Sequence, residues 1–240
     1  MSVHTTKLIA AYAISTLASG LFSTVMAGQI SVTVVDKEGK PTPDAIVVLM
    51  PSTKAMPAKP LPMQATVVQE KMQFIPAISL VGLGAKVKFV NNDPWDHHVR
   101  GSAAGAAQFA TAGTAPTSGG GFEMRLEGKS DGKPAKSSEV TLDKPGAIGA
   151  TMLGCFLHGS MRGNVYVSDS PWAAKTGTDG TATFEDVPDG AVQVKVWQTD
   201  QLIDLPVQQV TATSAPLKVK SQLQVVPRRS RVPATSSYSG

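Results

Sequence analysis

The chain holds a single cysteine, and it stands in a run of potential metal ligands. In CFLHGSM, Cys155 is followed three residues later by His158 and three after that by Met161. Upstream, NNDPWDHHV delivers an adjacent pair, His97 and His98, just past a loop signal of Asn, Asp and Pro. A thiolate, two imidazoles and a thioether form the donor set of a trigonal copper site with a weak axial methionine. Two other chemistries compete. A Cys155–His158 nucleophile and base pair needs an orienting third group, which the sequence does not clearly offer. A zinc site completed by His97 or His98 leaves Met161 without a role. The donor set favours copper. Four protein ligands leave the metal no open position, which points away from substrate chemistry and toward a non-enzymatic role.

The elements that position these residues read as strands. Helical periodicity is nearly absent, and short Val/Ile-rich alternating runs are separated by Gly, Pro, Asp and Asn. Phe74, Ile75, Ile78 and Leu80 predict one strand, Gly82 and Gly84 a turn, and Val87 and Phe89 the next strand. That strand runs out at Asn91-Asn92-Asp93-Pro94 and leads to the two histidines. Neighbouring side chains of a strand point to opposite faces, so His97 and His98 cannot both reach one metal. The remaining ligands share one tight loop between strands, a frame that holds them still in either oxidation state of copper.

NNDPWDHHV followed by CFLHGSM resembles the plastocyanin/azurin family of cupredoxins, and the short gap between His158 and Met161 is similar to the ligand loop of amicyanin. The resemblance covers roughly residues 67–168. It implies a Greek-key β-sandwich holding one type 1 (blue) copper and carrying single electrons between redox partners. It makes His97, Cys155 and His158 the equatorial ligands and Met161 the axial one. Electrons would pass through His158, inside a docking rim of Pro94, Trp95, Phe156, Leu157 and Gly159 suited to a brief encounter. Three features depart from the family pattern: His98 stands where Asn is usual, Leu153 where an aromatic is usual, and a long Gly/Ala/Ser-rich stretch separates His97 from Cys155.

The flanks tell a second story. GQISVTVVDKEGKPTPDAIVVLMP reads as strand, turn and strand, as does AKTGTDGTATFEDVPDGAVQVKVWQ, and each half is too small to bury a core alone. Together they resemble a carboxypeptidase regulatory-like domain, a small transthyretin-like sandwich. The overall order is similar to bacterial exported proteins labelled methylamine utilization protein or plastocyanin-like. The expected fold class is therefore all-β: a Greek-key cupredoxin sandwich plus a small transthyretin-like sandwich made by the flanks. The expected layout is a signal peptide over residues 1–27, first half-sandwich over 28–55, cupredoxin over 65–169, second half-sandwich over 170–225, and a disordered Pro/Ser-rich tail over 226–240.

Location and partners follow from composition. Lys7 precedes a softened apolar stretch that ends in Val25-Met26-Ala27, the shape of a secretory signal, and it is shorter than the roughly 20 apolar residues of a spanning helix. Export to the periplasm is expected, with no membrane span after processing. The 240 residues are 42% hydrophobic and 17% charged, a globular balance. A net charge of +4 without Lys/Arg clustering excludes a nucleic-acid partner and weakly favours an acidic one. One cysteine cannot form an internal disulfide, so an exported thiol is either inert or a ligand. A monomer with a redox protein as partner is expected. Two rival classes stand beside the electron carrier. One is a copper storage or delivery protein, using Met50, Met56, Met63 and Met72 as a transfer arm. The other is a binding module whose cupredoxin is incidental.

Overall fold

A computed structural model describes residues 27–103, 121–143 and 150–228. The expected leader, most of the expected tail and much of the Gly/Ala/Ser-rich stretch lie outside the described residues. These are all β, and none forms a helix long and apolar enough to cross a membrane. In chain order come β1 (Ala27–Val35), β2 (Ile46–Pro51), β3 (Gln64–Glu70), β4 (Gln73–Ile75), β5 (Ile78–Gly82), β6 (Ala85–Asn91), β7 (His97–Ala103) and β8 (Phe122–Leu126). There follow β9 (Lys136–Leu142), β10 (Ala150–Cys155), β11 (Arg162–Ser168), β12 (Ala173–Lys175), β13 (Thr181–Pro188), β14 (Gly190–Trp197), β15 (Gln208–Ala212) and β16 (Leu217–Gln222).

The strands form two sandwiches. In the inner one, a four-stranded sheet ordered β4-β3-β6-β9 packs on a five-stranded sheet ordered β5-β11-β10-β7-β8. Its core draws on both sheets, with Val67, Phe74, Val87 and Phe89 from one and Val99, Leu153, Val165 and Val167 from the other. Strict alternation explains the arrangement: in β6, Ala85, Val87 and Phe89 are buried while Lys86 and Lys88 are exposed. The outer sandwich is built from the segments that flank the inner one. A sheet ordered β13-β1-β16 packs on one ordered β12-β2-β14-β15, around Ile30, Val32, Val47, Leu49, Phe184 and Val194.

One expectation about the strands needs correction. The single strand read through Phe74 to Leu80 is two strands in different sheets. β4 stays antiparallel to β3, whereas β5 crosses over to run parallel with β11. The break falls at Pro76, which has no N–H to give to a ladder.

The two sandwiches also pack on each other. Ile46, Val48 and Trp197 of the outer sandwich meet Ala150 and Tyr166 of the inner one, with Met50, Ile78, Leu80 and Ala173 packed around them. This contact explains why β2 is apolar on both faces: Val47 and Leu49 fill its own core while Ile46 and Val48 fill the joint. Thr199 Oγ1 donates to Asn164 Oδ1 at 2.8 Å at the joint's edge.

Candidate metal centre

Strand alternation aims three potential ligands at one point. In β7, His97, Val99 and Gly101 face the core; in β10, Leu153 and Cys155 do. The antiparallel β7–β10 register sets Cys155 opposite Val99, so His97 lies just beyond the thiol at the mouth of the sandwich. His158 enters from the following loop. The result is a triangle: Cys155 Sγ lies 3.7 Å from His97 Nδ1 and 3.7 Å from His158 Nδ1, and the two nitrogens are 3.1 Å apart. His97 is fully buried and Cys155 nearly so, whereas His158 is half-buried. Metal bonds of about 2.0–2.1 Å to imidazole nitrogen and about 2.3 Å to thiolate separate trigonal donors by about 3.5–3.8 Å. The triangle therefore has the size of a three-coordinate ring, with its nitrogens drawn slightly together. The donor set fits copper.

Met161 is buried in the same core, and its N–H donates to the His158 carbonyl at 2.9 Å, closing the loop between Cys155 and β11. His98 points the other way. Its Nε2 pairs with Glu123 Oε1 at 2.9 Å and its ring lies against Phe156, 5.1 Å between centroids. Only its backbone reaches the site, where its N–H donates to Cys155 Sγ at 3.4 Å.

Two residues that read as loop signals in the sequence turn out to build the site. Asp93 Oδ2 lies 2.8 Å from His97 Nε2, so the carboxylate accepts the ring N–H and leaves Nδ1 as a bare lone pair facing the triangle. The same carboxylate accepts the N–H groups of Lys71 at 2.6 Å and Met72 at 3.0 Å. Burial alone would raise its pKa; the Met72 N–H, the His97 ring and the Lys71 N–H outweigh that and hold it below its usual value. Lys71 and Met72 form a two-residue turn between β3 and β4 with φ of +52° and +57°, a conformation uncommon for non-glycine residues. Asp93 is thus the counter-group that holds an unfavourable turn and a histidine ring together. Asn91, fully buried, gives its amide to the carbonyls of Trp95, Leu126 and Glu127 and accepts the Asp93 N–H, fixing the loop before His97. The sequence hint was there in retrospect: Asp93 stands four residues before His97.

Around the mouth, Trp95, Phe156 and Leu157 are large apolar residues left exposed, at 42%, 61% and 58%, and Pro94 and Gly159 are exposed beside them. The methionines weighed as a transfer arm have separate surroundings. Met50 packs at the joint between sandwiches, Met63 lies over Gly82, and Met72 sits in the turn held by Asp93.

No family model matches the chain, and no curated protein matches it. Among solved structures it is similar to a novel purple cupredoxin from Nitrosopumilus maritimus, at 15% identity over 43% of this chain and 99% of that one, with a TM-score of 0.32. It is similar to an amicyanin variant in its reduced state, at 18% identity over 50% of this chain and 99% of that one, with a TM-score of 0.30. It is also similar to a copper-containing nitrite reductase from Thermus scotoductus SA-01, at 22% identity over 56% of this chain and 28% of that one, with a TM-score of 0.31.

Proposed function

We propose that the chain is an exported copper protein that carries single electrons between redox partners, and that His97, Cys155, His158 and Met161 would hold the metal. The observation that carries this reading is the buried nitrogen–sulfur–nitrogen triangle whose first histidine is locked by Asp93. Copper held there supplies a one-electron couple between Cu(I) and Cu(II). The chain's own residues do the rest. Asp93 fixes the His97 ring, the His98 N–H holds the Cys155 sulfur in place, and the Met161-to-His158 hydrogen bond keeps the ligand loop closed. A frame so constrained keeps the same ligands in both oxidation states, which suits electron transfer and opposes release. Half-buried His158, next to exposed Phe156 and Leu157, is the place for electrons to cross to a partner. The outer sandwich is proposed as a separate folding unit of the regulatory-like type, and the first 27 residues as a secretory signal for the periplasm.

The test is the absorption spectrum of the full chain loaded with Cu(II). Thiolate ligation in a trigonal field gives an intense charge-transfer band toward the red end of the visible, and Cys155→Ser removes it. Stoichiometric copper with only weak d–d absorption would sink the proposal. Rapid loss of Cu(I) to a chelator of moderate affinity would replace it with the delivery reading.

A further inference from the structure

The outer face of the five-stranded sheet is only partly used. The outer sandwich covers its lower part, over Ile78, Leu80, Ala150 and Tyr166, and that cover ends where Thr199 bonds Asn164. One row nearer the metal site the register sets Arg100 opposite Gly154 and Gly154 opposite Arg162, so three adjacent strands bring two arginines onto one face with a bare glycine between them. Cys155 and Leu153 point inward from β10, so Gly154 points outward. A Cβ placed on it would meet nothing within 4 Å: the floor between the arginines is open.

The charges on this row are unspent. Neither Arg100 nor Arg162 has an ion pair among the described residues. Glu123 lies directly across from Arg100 on β8, but its carboxylate is taken by His98; the neighbouring Arg125 is held by Asp96. Arg100 instead places its guanidinium over the exposed ring of Phe156, 5.1 Å from the centroid, and Phe156 is bonded directly to the proposed ligand Cys155.

We propose that this row is a docking shelf for an acidic, extended segment of the redox partner; the inference rests on the electron-carrier reading above. Two strand spacings separate the arginine backbones by about 10 Å, a width that suits a chain bearing several carboxylates better than one small ion. The step left by the outer sandwich bounds the shelf on one side and Phe156 bounds it on the other. A segment seated there lies one residue from the copper thiolate, so the shelf sets both the sign of the partner's surface and its place relative to Cys155. Arg100 and Arg162 are positioning residues, because neither touches the metal.

The experiment titrates the full, Cu(I)-loaded, 15N-labelled chain with hexaglutamate and, separately, with inorganic phosphate at matched ionic strength. Hexaglutamate shifts the amides of Arg100, Gly154, Phe156 and Arg162, and the double variant Arg100→Gln/Arg162→Gln raises its Kd about fivefold to tenfold. Lys86→Gln/Lys88→Gln, on the opposite sheet, leaves the Kd unchanged. Gly154→Glu, which the open floor accommodates, removes binding by placing a carboxylate between the arginines and serves should the double variant fail to fold. Shifts centred on Lys86 and Lys88, an unchanged Kd in both shelf variants, or equal binding of phosphate overturns the proposal. The Cu(II) band, recorded on a separate Cu(II)-loaded portion of the same protein, reports on the copper reading separately: loss of the band with the shelf intact would refute that reading and not the peptide site.

Discussion

The two sandwiches bury polar side chains in different ways. In the outer one such groups serve the backbone of turns: Asp36 accepts the N–H groups of Glu38 and Lys40, Thr176 bridges Thr42 and Ala45, and Gln201 bridges Ile203 and Gln224. Each bond satisfies a backbone group at a turn or loop, and Thr176 does so from more than a hundred residues away. In the inner sandwich the buried Asn91, Asp93 and His97 bond to one another and lead to a single point. Gln69 sits fully buried beside them on β3 with neither amide atom bonded among the described residues, a costly position; in the outer sandwich the hydroxyl of buried Thr42 is likewise unbonded. The difference teaches where to look for chemistry. Polar interior groups that satisfy turns mark a scaffold; polar interior groups that satisfy each other and converge mark a site.

The comparison can be broken by uncoupling the halves. Leu49→Ala hollows the outer core and should destabilise that sandwich by about 2–5 kcal/mol. The Cu(II) band should remain, and unfolding followed by Trp172 fluorescence and by copper absorbance should separate. Loss of both signals together would show one folding unit. On the inner side, Asp93→Asn removes the charge that locks His97 and should cost about 10–100-fold in copper affinity, measured by competition with a chelator. Unchanged affinity would show that the carboxylate only serves the Lys71–Met72 turn.

The joint between the sandwiches carries its own pH signature. Burial first, and then Asp169 and Asp204, push the Tyr166 phenol from 10.0 up to about 12. The folded state therefore holds the proton more tightly than the unfolded one. Stability from this group is complete below about pH 10 and declines as pH rises toward 12, by about 2–3 kcal/mol in all. Tyr166→Phe should flatten that alkaline limb of the urea-unfolding midpoint relative to the parent chain. The smallest effect belongs to His98→Asn. The side chain faces Glu123 and Phe156 while its backbone N–H stays on the sulfur, so the band should keep its position and intensity within a few per cent. A lost band would make His98 the ligand and shift β7 by one residue.

Much of this was legible from residues alone, where the information is local. The Cys155, His158 and Met161 spacing is set within one loop, and the alternation of Val87 and Phe89 announces β6 without help from elsewhere. Alternation also dictates that only one of His97 and His98 can face inward. Which one does so depends on burial, and burial belongs to the packed pair of sheets. Asp93 read as punctuation, although His97 stands only four residues on, because the turn that its carboxylate also holds lies more than twenty residues upstream. Phe74 to Leu80 misled because periodicity is blind to a change of sheet at Pro76.

The donor types, the strand-rich class and the local loop that holds three of the proposed ligands can all be read along the chain, since they depend on spacing and on side-chain chemistry. Packing sets the rest: His97 meets Cys155 across 58 positions of chain, the two flanking segments close into one outer sandwich, and Arg100 and Arg162 flank Gly154. Such juxtapositions are fixed by strand register, and register is chosen by which faces the whole molecule can bury. No window of sequence contains that choice.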